Sequence, residues 1–179
     1  LEMIEAAQQK GLPITANVAA HQLHLTEDNI EGFDSNCHVI PPLRTRQDLE
    51  QLRSGLAKGT INAICSDHQP HEPDAKEAPF PSTMSGISAL ESLLPLTLQL
   101  VQDEVLDLST AIACLTSGPA RILGLPLGQL STGATADICI FNPEEQWQLR
   151  PEEMLSAGKN TAFIDWEFTG RVTHTLFQG

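Results

Sequence analysis

The sequence predicts an α/β fold in which helices and strands alternate as in a parallel sheet or barrel, followed by a small β subdomain. Three observations predict it. From Leu1 to Ser66 the pattern runs helix, strand, irregular loop, helix, strand, the alternation a parallel α/β sheet requires. Both predicted strands run into His-bearing segments, and in such folds chemistry gathers in the loops that follow strands. After Gly124 the texture changes: Gly128, Gly133, Pro143 and Pro151 punctuate short apolar runs. Residues 1–124 are therefore expected to form the barrel-type portion and 125–179 the β subdomain.

Each element follows from local pattern. Residues 1–10 carry Leu1, Ile4 and Ala7 on one helical face, and Gly11 closes the helix. Ile14 to Val18 reads as a short buried strand leading to Ala19-Ala20-His21-Gln22-Leu23-His24. Asp28 to Pro42 is polar and irregular. Thr45 to Lys58 is an amphipathic helix with Thr45 as its cap, Asp48 three residues on, and a stripe of Leu49, Leu52 and Leu56. Gly59 ends it, and Ile61 to Ser66 is a mostly apolar strand. Ser88–Val101 and Ser109–Leu123 read as helices, the second interrupted at residues 116–121 around Pro119. Residues 136–141 and 163–177 are strand-like.

The chain has 179 residues, the size of one ordinary domain and short for most enzyme barrels. Ten Lys plus Arg against 23 Asp plus Glu give a net charge of −13, which excludes a nucleic-acid or anionic-membrane surface. A hydrophobic content of 41% suffices for a packed core, and no apolar run approaches the roughly 20 residues of a membrane span. Cys37, Cys65, Cys114 and Cys139 show no metal-site spacing. They are expected to be reduced structural thiols of a cytoplasmic protein, with Cys65 and Cys139 buried in strands. Leu1 opens on a helical pattern with no cap residue and no signal segment, the pattern expected of a piece of a longer chain.

Two segments carry the chemistry-bearing side chains. Asp67-His68-Gln69-Pro70-His71 follows the second strand; a carboxylate beside two imidazoles suits a metal ligand or a general base. The competing reading is an Asp that caps the next turn beside two solvated His. His21 follows the first strand and reads either as a zinc ligand or as a structural residue. His24 and His38 read as surface or packing residues, and Arg44 as a carboxylate binder or the partner of a nearby acid. A catalytic zinc needs at least three protein ligands, and only two candidates stand here.

Taken together, these stretches resemble the C-terminal half of a dihydroorotase of the amidohydrolase superfamily. Asn17-Val18-Ala19-Ala20-His21-Gln22-Leu23 is similar to the family's Glu-Val-Thr-Pro-His-His-Leu. Ile40-Pro41-Pro42-Leu43-Arg44 is similar to Asn-Pro-Pro-Leu-Arg, and Asp67-His68-Gln69-Pro70-His71 to Asp-His-Ala-Pro-His, with Lys76 and Phe80 following. Ser85-Gly86-Ile87, the segment from Leu90-Glu91 to Leu94-Pro95-Leu96, and Gly158-Lys159-Asn160-Thr161 through Trp166 and Gly170-Arg171-Val172 continue the likeness along the chain.

The resemblance implies the C-terminal part of a (β/α)8 TIM-type barrel plus a small β subdomain, one or two Zn2+ ions in the whole protein, and zinc-dependent interconversion of N-carbamoyl-L-aspartate and L-dihydroorotate in pyrimidine synthesis. It casts His21 and Asp67 as metal ligands, Asp67 as the catalytic carboxylate that relays a proton to the leaving amide nitrogen, and His71, Ser85 and Gly86 as the substrate-holding group. It further implies a small-molecule substrate and a homo-oligomer. The departures are Ile40 at the position of a substrate-contacting Asn, Ala19-Ala20 for Thr-Pro, Gln22 for the second His, and Ser85 for Pro. These keep open the alternative of a catalytically silent dihydroorotase-like subunit serving as scaffold for aspartate transcarbamoylase. The 179 residues alone are expected to be inactive, because most metal ligands would lie before Leu1.

Overall fold

The computed structural model describes residues 1–179, and their secondary structure mixes helix and strand. Helix α1 (Glu2–Gln9) is followed by strand β1 (Asn17–Ala19), helix α2 (Arg46–Ala57) and strand β2 (Ala63–Cys65). Helices α3 (Leu90–Gln102), α4 (Leu108–Leu115) and α5 (Ser117–Ile122) come next, then strands β3 (Ile138–Gln148) and β4 (Glu167–Leu176). β1 and β2 pair in parallel; β3 and β4 form an antiparallel hairpin with two register irregularities. β4 packs against α3.

Both parallel strands are shorter than the apolar runs that predict them. Residues 14–16 lie outside the ladder: the Gln8 amide donates to Ile14 O, and Asn62 Oδ1 accepts from the Ala16 N–H. α1 has no fully buried residue, and Ile4 and Ala7 of its apolar face are half-buried. α2 begins as its sequence dictates, with Thr45 Oγ1 accepting from the Asp48 N–H and Asp48 reaching back to the Thr45 N–H, the reciprocal capping box. The break between α4 and α5 falls at Thr116, whose backbone (φ −127°, ψ −88°) is not helical.

The core is one cluster. Val18, Leu23, Leu43, Leu56, Ile64, Ile87, Leu96 and Leu100 pack together with Leu149, Met154, Phe163 and Phe168 from the tail. The thiols depart from expectation: Cys37 and Cys114 are buried, Cys65 is half-buried and Cys139 is exposed. The reason for Cys139 is that most of β3 and β4 is exposed, so an apolar run there is not an interior strand. No helix is long and apolar enough to cross a membrane.

A polar bolt ties the turn after β1 to two helices. Arg53 of α2 donates from Nε to Leu23 O (2.9 Å) and from Nη1 to Asp103 Oδ2 (3.1 Å) beyond α3. His24 Nε2 donates to Leu96 O (2.8 Å) inside α3. Burial, then the nearby Arg53 cation, lowers the His24 pKa from its ordinary 6.5 to about 4, against the Leu96 bond and Asp103, which favour the proton. The unfolded chain thus binds a proton below about pH 6.5 that the folded ring refuses until about pH 4. Stability should therefore fall as pH drops through that window, by up to about 3 kcal/mol from His24. Urea unfolding at pH 7 and 4.5 checks this: His24→Gln should flatten the pH dependence, and an equal slope in the variant would contradict it.

Candidate active site

The register of the parallel ladder sets the site. Ala19 of β1 stands beside Cys65 of β2. His21 and Asp67 each lie two residues beyond that last pair, His21 on the 3-10 turn that follows β1 and Asp67 in the loop after β2, near enough for the Asp67 carboxylate to act on the His21 ring. The ladder thus brings together the two residues expected to ligate metal, at the carboxyl edge of the sheet.

His21 sits on a short 3-10 turn (Ala20–Leu23) and is only 1% exposed. Neither ring nitrogen has a hydrogen-bond partner, an unusual state for buried polar atoms, which nearly always find one. Burial holds the ring pKa below its ordinary value, and the Asp67 carboxylate pulls the other way. The favoured ring is therefore neutral and carries a free lone pair. Asp67 is half-buried and adopts a left-handed backbone (φ 47°). Its Oδ1 accepts from Gln69 Nε2 (2.9 Å), which fixes the carboxylate plane and leaves Oδ2 for other work.

The expected capping role falls not on Asp67 but on its neighbour. α3 begins at Ala89 with no capping side chain of its own. His68 Nδ1 accepts from the Ala89 N–H (3.0 Å) and the Leu90 N–H (3.2 Å), and so plays that part from a distant strand end. A parallel bridge between His68 and Ile87 puts the 85–88 segment next to the second strand end.

His71, Ser85 and Gly86 come together: the His71 ring nitrogen Nε2 donates to Ser85 O (3.0 Å). That bond assigns the ring proton to Nε2, so Nδ1 is the acceptor unless the ring gains a second proton. Gly86 needs its missing side chain, because a Cβ there would stand 2.6 Å from Gln69 Cβ, and its φ is +132°. The Gly86 N–H donates to His38 O, and its carbonyl accepts from Lys76 Nζ and Asn160 Nδ2. Lys76 Nζ also donates to Ser35 O and Met84 O, so this cation is saturated by three carbonyls. Ile40 is 66% exposed, and its peptide with Pro41 is cis. Its segment is tied to the site through His38 O and through Pro41 O, which accepts from Gln22 Nε2 (3.1 Å). Arg44 is exposed and lies against Asp48 (3.6 Å), the partner of a nearby acid.

His21 and Asp67 fit the donor set of a divalent metal: an orphaned buried imidazole beside an oriented carboxylate. They are two donors, and no group of three His, Cys, Asp or Glu gathers anywhere in the chain. Gln69, His68 and Asn160 lie in segments that carry the family likeness, but their hydrogen-bonding roles here are not readable from those segments.

A model of the amidohydrolase family matches residues 2–179. The dihydroorotase of Syntrophotalea carbinolica is 48% identical over 179 residues, covering 100% of this chain and 42% of that protein. A dihydroorotase-like protein of Pseudomonas aeruginosa is 49% identical over the same 179 residues, again 42% of its length. The chain thus spans well under half the length of these relatives and matches their C-terminal half. Among solved structures, the L-hydantoinase (dihydropyrimidinase) of Arthrobacter aurescens superposes with a TM-score of 0.92 at 26% identity, over 99% of this chain and 41% of that one. An inactive dihydroorotase-like domain of a CAD-like multifunctional protein from Chaetomium thermophilum matches in fold, with a TM-score of 0.71 at 22% identity, over 99% of this chain and 46% of its own. The chain belongs to the amidohydrolase family and has its α/β fold.

If His68 caps α3, His68→Ala should lower stability by about 1 kcal/mol, and His68→Asn, which also offers an acceptor, should recover part of the loss. Chemical denaturation of both variants measures it; equal losses would remove His68 from the cap.

Proposed function

We propose that this amidohydrolase-family chain is the C-terminal part of a dihydroorotase, which interconverts L-dihydroorotate and N-carbamoyl-L-aspartate in pyrimidine synthesis. One observation carries the reading. His21 is buried with both nitrogens unpartnered, within electrostatic reach of an Asp67 held by Gln69, beyond the carboxyl edge of a parallel sheet. The name borne by the relative at 48% identity supports dihydroorotate as the substrate.

His21 and Asp67 would hold zinc, together with ligands from the remainder of the protein. When bound, zinc supplies Lewis-acid polarisation of the ring carbonyl and lowers the pKa of water. The chain's own residues do the rest. Asp67, anchored through Oδ1 by Gln69, takes the proton of the attacking water on Oδ2. It then delivers that proton to the ring nitrogen as the C–N bond breaks, and cyclisation runs the same transfers in reverse. The Ser85 N–H would donate to the substrate's carboxylate, and His71 Nδ1, an acceptor, would take a ring N–H.

A second reading has its own observation. Ile40, a 66%-exposed hydrocarbon, stands where the resemblance has a substrate-contacting Asn, and a protein named only dihydroorotase-like is 49% identical. Under this reading the parent keeps the fold as a silent partner of aspartate transcarbamoylase.

The test is dihydroorotate hydrolysis by the full-length, zinc-loaded protein. The first reading expects turnover, a fall of at least about a hundredfold in kcat for Asp67→Ala, and reduced zinc content in His21→Ala. Turnover that survives Asp67→Ala would sink the mechanism. A wild-type protein without turnover or zinc that copurifies with aspartate transcarbamoylase would establish the second reading.

A further inference from the structure

We infer that Asn160, in the segment between β3 and β4, is a positioning residue that clamps the two loops of the candidate site from the tail. Its kinetic consequence rests on the dihydroorotase reading above. Asn160 is 7% exposed, and every hydrogen-bonding group of its side chain is used. Oδ1 accepts from the His71 N–H (2.7 Å), and Nδ2 donates to Gln69 O and Gly86 O (both 3.1 Å). Its main-chain carbonyl accepts from the Ser88 N–H (2.7 Å).

One amide thus joins both loops. Gln69 orients Asp67, His71 holds Ser85 O, and Gly86 follows Ser85 in the chain. The pattern uses both N–H donors and one oxygen lone pair of the amide, and it admits one orientation only. Turning the amide over would set its oxygen against two carbonyls. The clamp also comes very close. A Cβ on Gly158 would stand 2.5 Å from His71 N and 2.7 Å from Pro70 Cβ, so the tail touches this loop without an intervening side chain. These bonds lie 74 to 91 residues apart in sequence, so they order the loops only once the tail is in place. Asn160 makes no hydrogen bond to His21 or Asp67 and acts on the site through the backbone of Gln69, His71 and Gly86.

The test uses the full-length protein containing these residues. Asn160→Asp keeps an oxygen for the His71 N–H and turns both donations into carboxylate–carbonyl repulsion. Dihydroorotate hydrolysis should show KM raised by roughly tenfold or more, with kcat within about threefold and zinc content unchanged. Hydrogen exchange in peptides spanning residues 69–71 should quicken by about tenfold, while α2 peptides keep their rate. Asn160→Ala should move both quantities the same way. A folded Asn160→Asp with unchanged KM, or with unchanged exchange at 69–71, overturns the assignment. If Asn160→Asp does not fold, Gly158→Ala pushes on the same loop and is read by the same two measurements; failure of both to fold would make the role global and also overturn it. A wild-type protein without dihydroorotate turnover defeats the functional reading, and the exchange measurement then decides the clamp by itself.

Discussion

Three residue pairs, Asn17–Ala63, Val18–Ile64 and Ala19–Cys65, govern where the chemistry of this chain is placed. A parallel ladder has evenly spaced bonds, and its last pair fixes where the two following loops leave the sheet edge. His21 and Asp67 fall at equal distances past it. A slip of one residue would turn every side chain of one strand to its other face and separate the two. Val18, Ala19, Ala63 and Ile64 are all buried, so the ladder is covered on both of its faces.

The loops beyond the ladder raise a different problem. From Ser66 to Ala89 there is almost no regular structure, yet much of the backbone lies close to the core, where unpaired N–H and C=O groups are costly. Side chains do the work that secondary structure does elsewhere. Lys76 saturates three carbonyls, His68 takes the first N–H groups of α3, and Thr83 meets His38 (2.7 Å) while donating to Phe80 O (2.8 Å). A loop held in this way keeps open chemistry at its surface without relying on flexibility. The arrangement also explains why both glycines at the loop contacts sit where a methyl group would collide with neighbouring backbone or side chain.

Much of this was legible in the residues. The Thr45–Asp48 capping box, the Leu49 and Leu56 stripe and the strand–His–strand–Asp order follow from local rules that act over a few residues. The pairing of His21 with Asp67 was legible because parallel strands place their following loops on one edge. What was not legible depends on long-range polar geometry. Asn160 has no periodicity to announce it, His68 caps a helix 22 residues away, and Cys139 looks interior only if β3 is assumed to be covered. The run 14–16 reads as strand by hydrophobicity, yet Asn62 and Gln8 take its backbone groups instead of a ladder partner. Hydrophobic pattern reports burial; it does not report which polar group meets which.

Backbone similarity alone does not choose a substrate, since the fold is shared with an L-hydantoinase at a TM-score of 0.92. Nor does it separate an enzyme from a scaffold, because the ladder and the loop bonds serve either. The side chains without structural employment are the ones that discriminate. Lys76, His68 and Asn160 all have their bonds made and would be useful to a silent protein. His21 has none: its ring is buried with both nitrogens unsatisfied, a state that costs on the order of 1–3 kcal/mol per unpaired group. A chain kept only for its shape would gain stability from a hydrocarbon of similar size at that position. An imidazole retained there, beside a carboxylate whose orientation is held by Gln69, makes physical sense when something outside the chain's own atoms completes it.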